Sequence, residues 1–283
     1  MSFFTSWLKK RVPAEEGESE MSFFDHLDEL RSHLFRMAIS VVIVAGVLFA
    51  YRNEVMTEIF RKPMNGDWIS NRMLCQMSAA FCFERIPIDL QSLSPGEQFN
   101  KALTYSLIGA VIICFPYLLW EIWRFIKPGL RNKEVKAVNS NVFWMSLLFF
   151  MGVSFGYYVV MPFSLIFFSQ FTLMEGIENN WRIGELISFV SMLVLGSGLL
   201  FQLPVAVYYL SKIGILSSAF MRKYRRHSIV VILIIAGFIT PPDPFSQVFL
   251  ALPLYVLYEV SIYVCLRVEK AEKLAEAARI AGA

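Results

Sequence analysis

Charged side chains are scarce in this 283-residue chain: Asp, Glu, Lys and Arg make up 17% of it, whereas hydrophobic residues make up 56%. In a soluble domain, charged residues are nearer to about a quarter of the total. The scarcity is local, because long blocks without any charge alternate with short charged segments. This arrangement excludes an ordinary soluble domain and is typical of a chain that crosses a bilayer several times.

Catalytic and cofactor-binding motifs are also missing. The sequence contains no HExxH, nucleophile elbow, P-loop or Cys/His metal set, and its three histidines lie apart in segments between the apolar blocks. The sequence Gly196-Ser197-Gly198 begins like a nucleotide fingerprint, but it lies inside an apolar block with no preceding strand. The net charge of +3 is too small to suggest nucleic acid as a partner. We therefore expect neither enzymatic chemistry nor a cofactor.

Four cysteines do not make a disulfide scaffold in a chain of this size. Cys114 and Cys265 fall in predicted spans, where we expect packed thiols. Cys75 and Cys82 share a predicted external loop, and an oxidising compartment would allow a bridge between them. If the segment between them is helical, however, their Cα atoms lie roughly 10 Å apart, beyond bridging distance. The sequence leaves both alternatives open.

Six apolar segments qualify as membrane spans. They are residues 34–51, 102–120, a third within the 38-residue uncharged stretch 137–174, then 186–210, 228–242 and 244–266. Because that uncharged stretch is too long for one crossing of a core of ~30 Å, we predict that Pro162 ends the third span and that an external segment follows. The fifth span, at about 22 Å of helix, is short. The sixth, 244–266, is long enough to favour a crossing over a re-entrant segment.

The basic residues set the direction of the spans. With these six spans, eighteen Lys and Arg lie on the side of the two termini and seven lie on the other side. Positive charge accumulates on the cytoplasmic side, so both termini are predicted to be cytoplasmic. We expect a mobile N-terminal tail at 1–21, a six-helix membrane domain at 22–267, and a cytoplasmic tail at 268–283 with a short helix at 268–280.

Several residues within the predicted spans need a structural or functional reason. Ionisable groups are costly in hydrocarbon, so Glu259 should extend toward the interface, pair with a neighbouring donor, or serve a functional site. Gln202, next to Pro204 in the fourth span, is expected to hydrogen-bond across helices. Gly152 and Gly156 form a GxxxG motif, which predicts that another helix approaches closely.

Two carboxylates at the predicted cytoplasmic face are harder to explain as membrane anchors. Glu29 precedes the first span and Glu134 follows the second, both among aromatic and basic residues. The anionic cytoplasmic leaflet disfavours carboxylates. A carboxylate can, however, bind a planar guanidinium through two hydrogen bonds. A ligand carrying guanidinium groups is therefore one interpretation of this face.

Five motifs, in the same order along the chain, resemble the TatC family, the multi-spanning receptor subunit of the twin-arginine protein translocase. They are HLDELR at 26–31, LSPGE at 93–97, WRFIKPGL at 123–130 followed by KE at 133–134, FQLPV at 201–205, and TPPD at 240–243 followed by FSQ at 245–247. The resemblance covers about 22–267. It implies an all-α integral membrane protein, a glove-like bundle of six transmembrane helices with both termini inside and short helices 5 and 6.

The resemblance also implies a function at the cytoplasmic face of a bacterial inner membrane. The chain would bind the twin-arginine signal peptides of folded cargo proteins. Residues matching the family's signal-peptide determinants are Phe125, Glu134, Glu29 and Arg31. Two acidic groups facing two guanidiniums would give Glu29 and Glu134 a ligand.

Further implications of the resemblance concern partners. Single-span TatA/TatB-type subunits would dock near Thr240 and Gln247, in homo- and hetero-oligomers, and the proton gradient would drive export without a nucleotide. Asp243 and Glu97 would lie at the external mouth. The sequence departs from the family at Gln202, where Glu is frequent, so a titrating side chain is not expected there.

Two alternatives come from other classes of protein. A secondary transporter of small solutes would use Gln202 and Glu259 to line its path. Such transporters usually have two related halves with broken helices, but this sequence shows no internal repeat and its spans differ in length. A purely structural scaffold would collect small helical subunits and bind no signal peptide.

Overall fold

The computed structural model describes residues 23–77, 89–126, 138–171, 174, 180–239 and 244–281. The predicted tail at 1–21 lies outside them. The described residues form eleven α-helices: α1 (Phe23–Ala50), α2 (Arg52–Val55), α3 (Ile69–Met77), α4 (Glu97–Ile126), α5 (Val138–Phe155), α6 (Met161–Gln170), α7 (Ile183–Leu200), α8 (Leu203–Lys212), α9 (Ser218–Lys223), α10 (Arg225–Ile239) and α11 (Pro244–Ala281). Two short strands, β1 (Asp89–Gln91) and β2 (Asn180–Arg182), pair in parallel.

Five helical segments within the described residues are long and apolar enough to cross a membrane. They are Leu27–Ala50, Glu97–Ile126, Val142–Gln170, Ile183–Lys212 and Ser246–Ala278. The fifteen-residue helix α10 corresponds to the predicted short fifth span. The number of crossings and the cytoplasmic position of the termini stay predictions.

Helices α1 and α4 form an antiparallel pair with a polar contact near each end. At one end His33 of α1 is hydrogen-bonded to Glu121 of α4. At the other end the Tyr105 hydroxyl donates a hydrogen bond of 2.9 Å to the carbonyl oxygen of Arg52. Helix α1 packs chiefly along α4 and buries little of its own surface. These two contacts therefore help to fix where α1 lies.

Glycines allow α5 and α7 to approach closely. A Cβ atom added to Gly152 would lie 2.6 Å from the carbonyl oxygen of Ser197, and one added to Gly156, in the π-helical turn after α5, would lie 2.7 Å from the Ser197 hydroxyl oxygen. Side-chain carbons do not pack at such distances. The close approach predicted from the GxxxG motif is confirmed, and Ser197, in the Gly-Ser-Gly sequence, belongs to this helix contact.

The third apolar helix does not end at Pro162, so that prediction is wrong. The π-helical turn Gly156–Val160 leads directly into α6, and Pro162 lies in the first turn of α6. Pro162 lacks a backbone N–H, and its ring is accommodated in the first turn after the π turn. The helix therefore continues to Gln170.

Helix α11 continues past the predicted end of the sixth span. It runs for 38 residues to Ala281, which corresponds to about 57 Å at 1.5 Å per residue. The helix predicted at 268–280 is thus a continuation of α11, and α10 alone of the last two helices is short. The Glu269 carboxylate accepts hydrogen bonds from the Ser218 backbone N–H (2.7 Å) and hydroxyl (2.6 Å), which attaches α11 to the start of α9.

The three cysteines within the described residues are of two kinds. Cys114 and Cys265 are free and buried, as predicted, whereas Cys75 is disulfide-bonded. Cys75 lies in α3, which the structure describes as far as Met77. Cys82, the partner considered from the sequence, lies outside the described residues.

Candidate functional site

Polar and aromatic side chains meet at the end of the bundle where α1 begins and α4 ends. On an α-helix, residues four positions apart lie on one face. Glu29 and His33 therefore share a face of α1, and Glu121 and Phe125 share a face of α4. These two faces meet. We term these four residues the α1–α4 cluster.

His33 is at the centre of the cluster and contacts the other three residues. A hydrogen bond joins its Nδ1 to Oε2 of Glu121. Its Nε2 lies 4.0 Å from Oε1 of Glu29. Its ring meets that of Phe125 edge-on, with the two centroids 6.1 Å apart. The imidazole is only 3% exposed, so these neighbours take the place of water around it.

Glu121 is a carboxylate with 1% of its surface exposed. Besides His33, it accepts a 2.9 Å hydrogen bond from the Tyr117 hydroxyl, and Nη1 of Arg36 lies 3.8 Å from its Oε2. A buried charge is tolerated only when partners compensate for its lost hydration. Here two residues from α1 and one from α4 supply that compensation.

Neither residue of this buried pair is predicted from the sequence. Glu121 lies in an aromatic-rich segment, and His33 is one of three histidines that lie apart in the sequence. One signal was available: Glu121 is one helical turn before Phe125, a residue already assigned to the site. The partner could not be found without the rotation of α1 relative to α4.

The structure brings together two of the four residues predicted to bind signal peptide. Glu29 and Phe125 converge on His33. Arg31 is exposed and, two residues after Glu29, is turned by about 200° around the helix axis. It therefore lies on a different face of α1. Glu134 lies outside the described residues.

Gln202 lies between α7 and α8 and reaches across to α5. Its Nε2 donates a 2.8 Å hydrogen bond to the carbonyl oxygen of Met145. Its Oε1 is buried and has no hydrogen-bond partner in the part of the chain that the structure describes. The interhelical hydrogen bond expected of this amide is therefore present, made through its nitrogen.

Glu259 is paired, which is one of the three arrangements expected from the sequence. Its Oε2 lies 2.7 Å from Nη2 of Arg225, and its Oε1 accepts a hydrogen bond of 3.2 Å from the Tyr255 hydroxyl. Arg225 begins α10, whereas Glu259 lies within α11. The ion pair thus joins the short helix to its long neighbour.

This pairing predicts an asymmetry between single and double variants. We expect Arg225→Leu to lower the free energy of unfolding by about 0.2–1 kcal/mol, the range for a partly exposed ion pair, because Glu259 loses its cation. Arg225→Leu/Glu259→Leu should lose less, since no unpaired carboxylate remains. Detergent-micelle unfolding of the two variants measures the difference. Equal losses would contradict a role for the ion pair.

The remaining predicted residues lie outside the α1–α4 cluster. Gln247, at the start of α11, donates a 2.8 Å hydrogen bond from Nε2 to the carbonyl oxygen of Leu233 on α10. Glu97 is at the opposite end of α4, where its Oε1 lies 3.7 Å from Nη2 of Arg182. Thr240 and Asp243 lie outside the described residues.

Comparison with known proteins gives a consistent answer. Residues 25–253 match the family model described as Sec-independent protein translocase protein (TatC). The chain belongs to the TatC family. A TatC protein of Blattabacterium sp. subsp. Periplaneta americana is 32% identical over 260 residues, which cover 89% of this chain and 98% of the relative. A TatC protein of Helicobacter pylori (strain J99) is 41% identical over 184 residues, covering 65% and 74%.

A solved TatC structure agrees in fold. It is described as the crystal structure of the twin arginine translocase receptor TatC, and it superposes with a TM-score of 0.68 at 30% identity, covering 86% of this chain and 99% of its own. The predicted all-α membrane class is thereby confirmed. As a TatC-family protein, the chain is a membrane component of a protein translocase and is not an enzyme. A small-solute transporter is not favoured.

Proposed function

We propose that this TatC-family chain is the core receptor of a twin-arginine translocase and binds the signal peptides of folded proteins at the α1–α4 cluster. The observation that carries the proposal is the convergence of Glu29 and Phe125 on His33. The family resemblance assigns both residues to signal-peptide binding. The solved relative is itself described as a twin arginine translocase receptor.

The chemistry of the cluster suits a guanidinium ligand. The Glu29 side chain is 36% exposed, so its carboxylate is accessible, and its Oε1 lies 4.0 Å from Nε2 of His33. A carboxylate binds a guanidinium through two parallel hydrogen bonds. Phe125 adds an aromatic surface, on which a cation or an apolar side chain of the peptide can pack. Glu134 would supply the second carboxylate for the second arginine, and Arg31 completes the proposed set.

We infer that TatA/TatB-type single-span subunits dock at the edge formed by α10 and the start of α11, near Thr240 and Gln247. Helix α10 has fifteen residues, about 22 Å, which is shorter than the hydrocarbon core and favours local thinning of the bilayer or association with another helix. The hydrogen bond from Gln247 to Leu233 supports this edge as one unit.

The same proposal covers location and energy source. The chain would lie in the bacterial cytoplasmic membrane with both termini cytoplasmic, a direction supported by the bias of basic residues. Asp243 and Glu97 would then lie at the external mouth. Export would draw on the proton gradient, in oligomers with copies of this chain and with the small subunits.

Affinity for a twin-arginine signal peptide tests the proposal. We expect Glu134→Ala and Glu29→Ala each to weaken binding at least about tenfold, because each removes a charge-assisted pair of hydrogen bonds. Fluorescence titration with a labelled peptide, on purified protein in nanodiscs, measures the effect. Glu185→Ala is a matched control, since Glu185 is an exposed carboxylate outside the cluster and its removal should leave affinity unchanged.

Other outcomes select among the alternatives. Unchanged binding by Glu134→Ala would reject the residue assignment, and no binding by the unmodified chain would favour a scaffold. Uptake of a small solute by proteoliposomes that contain this chain alone would favour a transporter. In cells, deletion of the chain should stop export of folded twin-arginine cargo.

A further inference from the structure

The α1–α4 cluster contains an ionisable pair that the proposed peptide contacts do not use. His33 and Glu121 are 3% and 1% exposed, respectively. Desolvation cancels much of the attraction within such a buried pair, and two apolar side chains of similar size commonly pack at least as stably. Joining α1 to α4 therefore does not by itself explain why these residues are polar.

The pair has a geometric property that an apolar contact lacks. A hydrogen bond is directional, so the bond between His33 and Glu121 sets both the axial register and the rotation of α1 against α4. Glu29 is one helical turn from His33, and Phe125 is one turn from Glu121. Shifting α1 by a single residue would rotate Glu29 by about 100° around the helix axis.

The second ring nitrogen of His33, Nε2, faces Glu29. Its distance of 4.0 Å from Glu29 is too long for a hydrogen bond. Glu29 therefore lies beside the imidazole without a hydrogen bond to it, and at 36% side-chain exposure its oxygen atoms remain available to a ligand. Glu121, by contrast, is surrounded by His33, Tyr117 and Arg36 and is closed to one.

We propose that His33 and Glu121 are positioning residues, which hold Glu29 and Phe125 at the separation that one arginine of a signal peptide requires. This inference rests on the proposed function, because it describes how that binding site keeps its shape. The pair itself does not touch the peptide. Its effect on affinity is exerted through Glu29 on one helix and Phe125 on the other.

Two double variants separate positioning from packing. His33→Leu/Glu121→Leu replaces the pair by apolar side chains, and we expect a folded protein of similar thermal stability whose affinity for the twin-arginine peptide is at least tenfold lower. His33→Asn/Glu121→Gln keeps a directional polar contact without charge, and its affinity should stay within threefold of the unmodified chain. Peptide titration and thermal unfolding are measured on the same nanodisc samples.

Two results would contradict the positioning role of His33 and Glu121. A folded Leu pair that binds like the unmodified chain would overturn the inference. An Asn/Gln pair that is folded but at least tenfold weaker would also overturn it, because hydrogen-bonded register would then not suffice. If His33→Leu/Glu121→Leu does not fold, the peptide affinity of His33→Asn/Glu121→Gln tests the inference. An affinity within threefold of the unmodified chain supports it, and a loss of at least tenfold overturns it.

Controls distinguish this inference from the proposed function. Ser164 and Ser246 form another buried polar contact between helices, with their hydroxyl oxygens 2.5 Å apart, and Ser164→Ala/Ser246→Ala should leave peptide affinity unchanged. If the unmodified chain does not bind peptide, the proposed function fails. If it binds, Glu29→Ala weakens binding and the Leu pair binds normally, the positioning role alone fails.

Discussion

His33→Leu alone should lower the free energy of unfolding by about 3 kcal/mol, one of the two largest losses that we expect from a single substitution. The change leaves the carboxylate of Glu121 buried without its hydrogen bond from α1. Leaving a buried charge without one of its partners typically costs about 3–5 kcal/mol. The lower end applies because Tyr117 still donates a hydrogen bond and Arg36 lies 3.8 Å away.

Unfolding in mixed micelles, followed by circular dichroism, gives the measurement. The matched control is His33→Leu/Glu121→Leu, in which no unpaired carboxylate remains, so most of the lost stability should return. If the double variant were as unstable as the single one, packing volume would explain the loss, and pairing of the carboxylate would not.

Gly152→Leu should be at least as damaging, because it forces apart α5 and α7. Even the Cβ atom of an alanine would lie 2.6 Å from the Ser197 carbonyl oxygen and 2.7 Å from Cγ of Phe201. The backbone oxygen cannot move aside as a flexible side chain can. Overpacking a tight contact usually costs about 1–3 kcal/mol, and the leucine adds three further carbons, so we expect about 3 kcal/mol or failure to fold.

Gly46→Leu is the matched control for this substitution. Gly46 lies on α1, and a Cβ atom there would meet nothing within 4 Å. The same change should therefore leave stability and yield nearly unchanged. Thermal unfolding and the fraction of monodisperse protein after detergent extraction compare the two variants. Equal effects at both positions would show that the close approach of α7 is not responsible.

The positions of the apolar helices could be predicted because a bilayer demands long uncharged segments. Helix ends were less predictable. Charge marks where a chain leaves hydrocarbon, but α11 continues beyond Arg267 because the following residues, rich in Ala, Glu and Lys, are good helix formers in water. Pro162 was expected to end a helix, but it lies in the first turn of α6, directly after a π-helical turn.

The site was predictable only in part, for a different physical reason. Glu29 and Phe125 could be assigned to the site because they belong to the sequence motifs HLDELR and WRFIKPGL. The contact between His33 and Glu121 depends on which faces of α1 and α4 meet, and that choice is made by packing over the whole length of both helices. Composition and local spacing carry no information about this rotation.

The separation of the buried pair along the chain has a consequence for its synthesis. Eighty-eight residues separate His33 from Glu121, and at about 5–20 residues per second the ribosome needs about 4–18 s to make them. During that interval α1 has been made, but α4, which carries the hydrogen-bond partner of His33, has not. Water or the membrane-insertion machinery must serve as the partner of His33 until α4 arrives.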